Sequence, residues 1–136
     1  MRSHIRFTLM LGVLAAALAV SVASAAAPVK ITNCNKAVSK PKQVTLTCGD
    51  GNTRLNKLTW SSFGGASAKG KGTFETDTCE PNCAAGKTVT YPVTVAATGS
   101  RSCPKGLRVY AKLTLTFKGN PKYAKGYKSW PLRCPA

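Results

Sequence analysis

Leu107-Arg108-Val109-Tyr110-Ala111-Lys112-Leu113-Thr114-Leu115-Thr116-Phe117-Lys118 alternates apolar and polar residues without a break. A period of two over twelve residues is the signature of a half-buried strand. Leu107, Val109, Ala111, Leu113, Leu115 and Phe117 are predicted to face a core. Arg108, Tyr110, Lys112, Thr114, Thr116 and Lys118 are predicted to face water.

The same alternation recurs on the N-terminal side. Val89, Tyr91, Val93 and Val95 form a second run, and Pro92 predicts that this strand lies at a sheet edge. Ala66, Ala68, Gly70, Gly72 and Phe74 form a third, with Ser67, Lys69, Lys71, Thr73 and Glu75 on its other face. Its small inward residues predict close approach of another strand or of Trp60. Gln43–Cys48 reads as a strand with Val44, Leu46 and Cys48 inward. Gly49-Asp50-Gly51-Asn52 follows as a hairpin turn, with positive φ expected at both central residues. That hairpin sets Leu46 opposite Leu55. Leu58 and Trp60 then fall on the other parity, which predicts a bulge near Asn56. No stretch after residue 25 carries a helical period. The expected fold is all-β, a small disulfide-stapled antiparallel sandwich or barrel of about six to seven strands.

The N-terminus reads as an export signal. Arg2 and Arg6 precede an apolar run from Phe7 to Val22, and Ala23-Ser24-Ala25 offers small residues at a cleavage position. Cleavage is expected after Ala25, with Ala27 as the second choice and an uncut anchor as the alternative. Residues 1–25 are then the signal peptide, and 26–136 a single secreted β domain with no further membrane-length run. Eighteen of the twenty basic residues and all four acids lie in that domain, a balance of +14. The single histidine, His4, does not.

All six cysteines follow the signal, and an even count in a small exported chain reads as a disulfide framework. Turns predicted midway between cysteines favour Cys34–Cys48 and Cys103–Cys134. That leaves Cys79–Cys83 around Glu80-Pro81-Asn82. These pairs are the most economical of the fifteen possible connectivities.

Residue types exclude several chemistries. Without histidine in the domain there is no Ser-His or Cys-His nucleophile, no His-based zinc site and no imidazole acid–base pair. No cofactor and no metal are expected. The Cys79-x-x-x-Cys83 spacing is one residue longer than that of the thioredoxin-like motif. Glu75 and Asp77, two apart on a strand, could form a carboxylate pair for glycoside hydrolysis. The simpler reading is two solvated acids offsetting lysines. Asp50 reads as a turn residue.

Charge is the feature left over. Residues 26–80 carry a net +4, and residues 81–136 carry ten bases and no acid. In the tail, Lys118, Lys122, Lys125, Lys128 and Arg133 surround Tyr123, Tyr127 and Trp130, and Arg108 and Lys112 extend the set. Such a surface either attracts polyanions or is a solvated basic face that merely keeps a secreted protein soluble, and lysine-rich charge suits diffuse attraction rather than bidentate recognition. The aromatics have two readings, as stacking platforms or as core.

Cys48-Gly49-Asp50-Gly51-Asn52, Leu58-Thr59-Trp60-Ser61-Ser62-Phe63-Gly64, the alternating Ala66–Gly72 run and Cys79-Glu80-Pro81-Asn82-Cys83-Ala84-x-Gly86 form an ordered set of motifs. Tyr91-Pro92-Val93 and the closing Trp130–Cys134 segment complete it. The set resembles a group of small secreted actinobacterial proteins, and Phe63 departs from it where a second tryptophan is expected. The resemblance implies export from a filamentous or related Gram-positive bacterium and supplies no activity or catalytic residue. The expected function is a non-enzymatic extracellular protein, secreted or cell-wall associated, docking on anionic envelope polymers such as teichoic acids. Specific nucleic-acid binding is not expected. The alternative is a secreted effector, an antimicrobial or enzyme inhibitor, on a disulfide scaffold.

Overall fold

A computed structural model describes residues 25–136; the signal-peptide reading falls on residues outside this range, apart from Ala25. The chain forms β1 (Ile31–Asn33), β2 (Lys36–Val38), β3 (Val44–Thr45), β4 (Thr53–Ser62), β5 (Ser67–Asp77), β6 (Thr88–Ser102), β7 (Arg108–Phe117) and β8 (Ser129–Pro131). Strands β3 to β8 form one six-stranded antiparallel meander in sequence order, curled into a half-barrel, and β1 and β2 pair as a separate hairpin. Short 3₁₀ segments at Pro104–Gly106 and Lys122–Tyr127 are the only helical turns among the described residues.

Alternation builds the core. Val93, Val95 and Ala97 of β6 face inward beside Leu113 and Leu115 of β7, and Phe74 of β5 lies opposite Leu55 of β4. Burying a side chain of this size contributes ~1.5–3 kcal/mol. Thr53 and Thr76 are buried too, and each would be costly alone. Their hydroxyls meet at 2.7 Å, and Thr53 Oγ1 also donates to the Tyr127 hydroxyl at 3.2 Å.

The N-terminal segment links the two flanks of the half-barrel. Lys30 N donates to Arg108 O, and Tyr110 N donates to Lys30 O, both at 2.9 Å, so this residue pairs parallel to β7. On the other flank, Asn33 Oδ1 accepts from Thr45 N at 2.9 Å and ties β1 to β3. Thr32 Oγ1 donates to Arg133 O at 2.6 Å, across 101 residues of sequence. All three expected disulfides form: Cys34–Cys48, Cys79–Cys83 and Cys103–Cys134.

Five local expectations need correction. Pro92 does not mark an edge, because β6 lies between β5 and β7. It sits one residue outside the stretch paired with β7, so that flank has no ladder to lose an N–H from. Leu46 does not face Leu55; Val44 does. The turn is longer than a two-residue loop: Leu46 N donates to Thr53 O, and Gly51 N donates to Thr47 O. Only Gly51 takes positive φ there, while Asp50 acts through its carboxylate, which accepts from Asn52 N at 3.0 Å. That hydrogen bond leads the causes holding the Asp50 carboxyl below its ordinary pKa, followed by the Thr47 hydroxyl. Cys48 is exposed rather than inward.

Tyr110 is the fifth. Its parity places it outward, yet it is fully buried. Gly99, with φ of 66°, interrupts the pairing of β6 with β7, and beyond it both Val109 and Tyr110 are covered. The Tyr110 hydroxyl accepts from Gly64 N at 2.9 Å and donates to Gly65 O at 3.0 Å. Phe63 packs edge-on against Tyr110 and against Trp60, linking the end of β4 to β7.

The predicted bulge lies in β4. Pairing with β5 slips between Asn56 and Thr59, where Lys57 adopts φ of 51°. The slip moves Leu58 and the Trp60 ring onto the two glycines of β5. A Cβ at Gly70 would lie 2.7 Å from Thr59 O and 2.9 Å from Trp60 Cε3, and one at Gly72 would lie 2.6 Å from Asn56 O. These glycines exist for close approach, as their sequence pattern predicts.

Candidate functional site

The predicted basic set does not form one surface. Arg108 and Lys118 stand at opposite ends of β7, ten residues apart, which in an extended strand is ~33 Å. Arg108 is turned to its own end, donating to Ser100 Oγ at 2.9 Å and to Ala27 O at 3.4 Å. Lys122 donates to Glu80 Oε1 at 2.7 Å and lies over the Tyr123 ring, and the Tyr123 hydroxyl donates to Glu80 Oε2 at 2.7 Å. The Lys122 hydrogen bond, then that of Tyr123, lowers the Glu80 pKa, and Glu80 raises that of Lys122. This trio fastens the Cys79–Cys83 loop to the 3₁₀ segment Lys122–Tyr127.

Tyr127 and Trp130 stack on each other with centroids 5.5 Å apart, and Tyr127 packs against Phe74. Both rings are half-buried against the core, so the core reading of these aromatics holds. Lys112, Lys118, Lys125, Lys128 and Arg133 are exposed.

The acids are occupied. Glu75 accepts from Arg54 and from Asn56 Nδ2, and Asp77 Oδ1 accepts from Cys79 N at 2.7 Å. Glu75 and Asp77 therefore each hold structure. Arg54–Glu75 and Lys122–Glu80 are the ion pairs among the described residues. No group of three or more His, Cys, Asp or Glu among them could hold a metal ion.

Three unpaired lysines do share one groove, on the outer face of β4 to β7. Register places Thr59, Lys71, Thr94 and Thr116 in one straight row across the four strands. Beside it run Thr73 and Pro92, with Lys57 in the β4 bulge and Lys118 just past β7. Together they line an open groove of about 440 Å³ with Lys57, Lys71 and Lys118 and no carboxylate. A second hollow of about 540 Å³ continues it past Lys69 and Ser61, sharing Thr59, Lys71 and Thr94. Of the predicted residues, Lys118 is the one that lines the groove. Lys57, Lys69 and Lys71 were missed, although the alternation of Lys69 and Lys71 with inward glycines already put both lysines on an outer face. What sequence lacks is the register that sets Lys71 beside Thr59 and Thr94.

Comparison with protein-family models, with curated proteins and with solved structures returned no match. The three disulfides point to an oxidising or extracellular location. No helix among the described residues is long and apolar enough to cross a membrane.

Proposed function

We propose that the chain is an exported, non-enzymatic binding protein whose outer sheet face docks on anionic polymers of the cell envelope, such as teichoic acids. The acid-free groove ringed by Lys57, Lys71 and Lys118 carries this reading. Each of the four acids has a structural partner, so these lysines keep their charge available to a polyanion. The export signal and the resemblance to secreted actinobacterial proteins support the location.

The test is co-sedimentation of the oxidised protein with cell walls, with and without their anionic polymer, across a salt series. Binding is expected to need the polymer, to weaken steeply with salt, and to be lost in K57E/K71E/K118E. The charge-matched variant K36E/K87E/K125E should bind more nearly as the parent does. Equal loss in both would reject the groove, and no binding at low salt would reject the reading.

The clamped, exposed loop Glu80–Ala85 favours a second reading, an effector that presents this loop to a foreign enzyme. Growth inhibition by the purified protein, abolished by loop substitutions and not by K57E/K71E/K118E, would favour it.

A further inference from the structure

We infer that the groove takes about three consecutive phosphates of a linear polyol phosphodiester, laid across the strands rather than along them. This rests on the polyanion reading above and narrows it to one polymer chemistry and one site size.

The direction comes from the register. Lys57 on β4, Lys71 on β5 and Lys118 past β7 are spread across the sheet, Lys71 in one row with Thr59, Thr94 and Thr116, and Lys57 and Lys118 beside the neighbouring row of Thr73 and Pro92. Three inter-strand gaps span ~14 Å. A chain following this path meets an ammonium group on β4, on β5 and past β7, with the threonine hydroxyls of Lys71's row alongside.

Composition selects the ligand. The groove's three cations are all lysines, point charges that suit a phosphodiester's singly charged oxygens without demanding a planar bidentate partner. The Thr59 hydroxyl is spent on Lys71 O at 3.4 Å, whereas those of Thr94 and Thr116 are exposed on the groove. They can donate to and accept from polyol hydroxyls between the phosphates. No aromatic side chain lines the groove, and the one bordering the adjoining hollow, Trp60, is half-buried with its ring over Gly70 and its Nε1–H on Pro41 O, so the bases of a single-stranded nucleic acid find no free stacking platform there.

The test is calorimetric titration of the oxidised protein with synthetic glycerol-phosphate oligomers of two, three, four and eight units. Affinity should rise up to three phosphates and then level off. Log affinity should fall with log salt at a slope of about −2 for three phosphates. T94V/T116V should weaken the four-unit oligomer by about threefold or more and leave inorganic polyphosphate of equal charge unchanged. Affinity that keeps climbing from four to eight units would overturn the site size. Equal binding of oligothymidylate would overturn the polymer class. Binding of intact cell-wall polymer without binding of any oligomer would overturn this inference alone. No binding of any polyanion would overturn the reading beneath it.

Discussion

Adding one methyl group to β5, at Gly70 or Gly72, should destabilise the fold. In Gly70→Ala the new Cβ would lie 2.7 Å from Thr59 O and 2.9 Å from the Trp60 ring. In Gly72→Ala it would lie 2.6 Å from Asn56 O and 2.9 Å from Leu58 Cδ2. Each clash includes a backbone oxygen, which no rotamer change can move. Forcing atoms into a packed site costs ~1–3 kcal/mol. Replacing glycine also restricts the unfolded chain, which stabilises by ~0.4–1 kcal/mol. Overpacking wins, leaving a net loss of ~1–2 kcal/mol, or a melting point lowered by ~4–8 °C in a domain of this size. Gly49→Ala is the reference, since nothing lies within 4 Å of its added Cβ. The assay is thermal unfolding followed by circular dichroism with the disulfides intact. If Gly70→Ala and Gly72→Ala melt at the same temperature as Gly49→Ala, the close approach of β4 to β5 is wrong. Because Lys71 stands between the two glycines, the same variants should also weaken polyanion binding if the bulge is displaced.

Tyr110→Phe should cost ~1–3 kcal/mol in chemical denaturation, because it leaves Gly64 N and Gly65 O without their partner. Removing Cys103–Cys134, which spans 31 residues, should destabilise by ~4 kcal/mol, against ~3 for the 14 of Cys34–Cys48 and ~2 for the four of Cys79–Cys83. Urea unfolding of the three paired Cys→Ala variants reads that order directly. Glu80 has its pKa lowered in the fold, so its hold on Lys122 and Tyr123 is present above the ordinary glutamate range and lost as pH falls through the depressed value. Amide exchange across Cys79–Lys87 should therefore quicken on acidification in the parent, relative to intrinsic rates, and show no such step in Glu80→Gln.

The strands were legible where one face is dry and the other wet. Leu113, Leu115, Val93 and Val95 sit where their parity puts them, and Leu58 and Trp60 betray the bulge. Parity fails at Tyr110 because a loop from another part of the chain covers it, and no local pattern encodes that. Pro92 misleads because its neighbour strand stops one residue short of it. The hairpin at Asp50 misleads because an aspartate can shape a turn by its side chain as well as by its backbone. The candidate site was legible as charge but not as place. Density along the chain singled out the tail, whereas two of its aromatics stack into the core edge and Lys122 is spent on Glu80. The groove draws single lysines from β4, β5 and the end of β7, distant in sequence and gathered only by register.

The bridge from Lys30 to β7 and from Thr32 to Arg133 sets an order of events during synthesis. The meander can assemble hairpin by hairpin as each strand emerges, since each partner is the next one along. The first strand pairs early with β2, but the segment leading into it has no seat until β7 exists, and Thr32 has no partner until Arg133 does. Until then Ile31 and Val29, both buried in the finished fold, remain uncovered. The N-terminal segment is thus among the last parts of the domain to settle, and a chain truncated before Arg133 keeps its hairpins and the Lys30 seat on β7 but loses the Thr32 tie and the Cys103–Cys134 bridge.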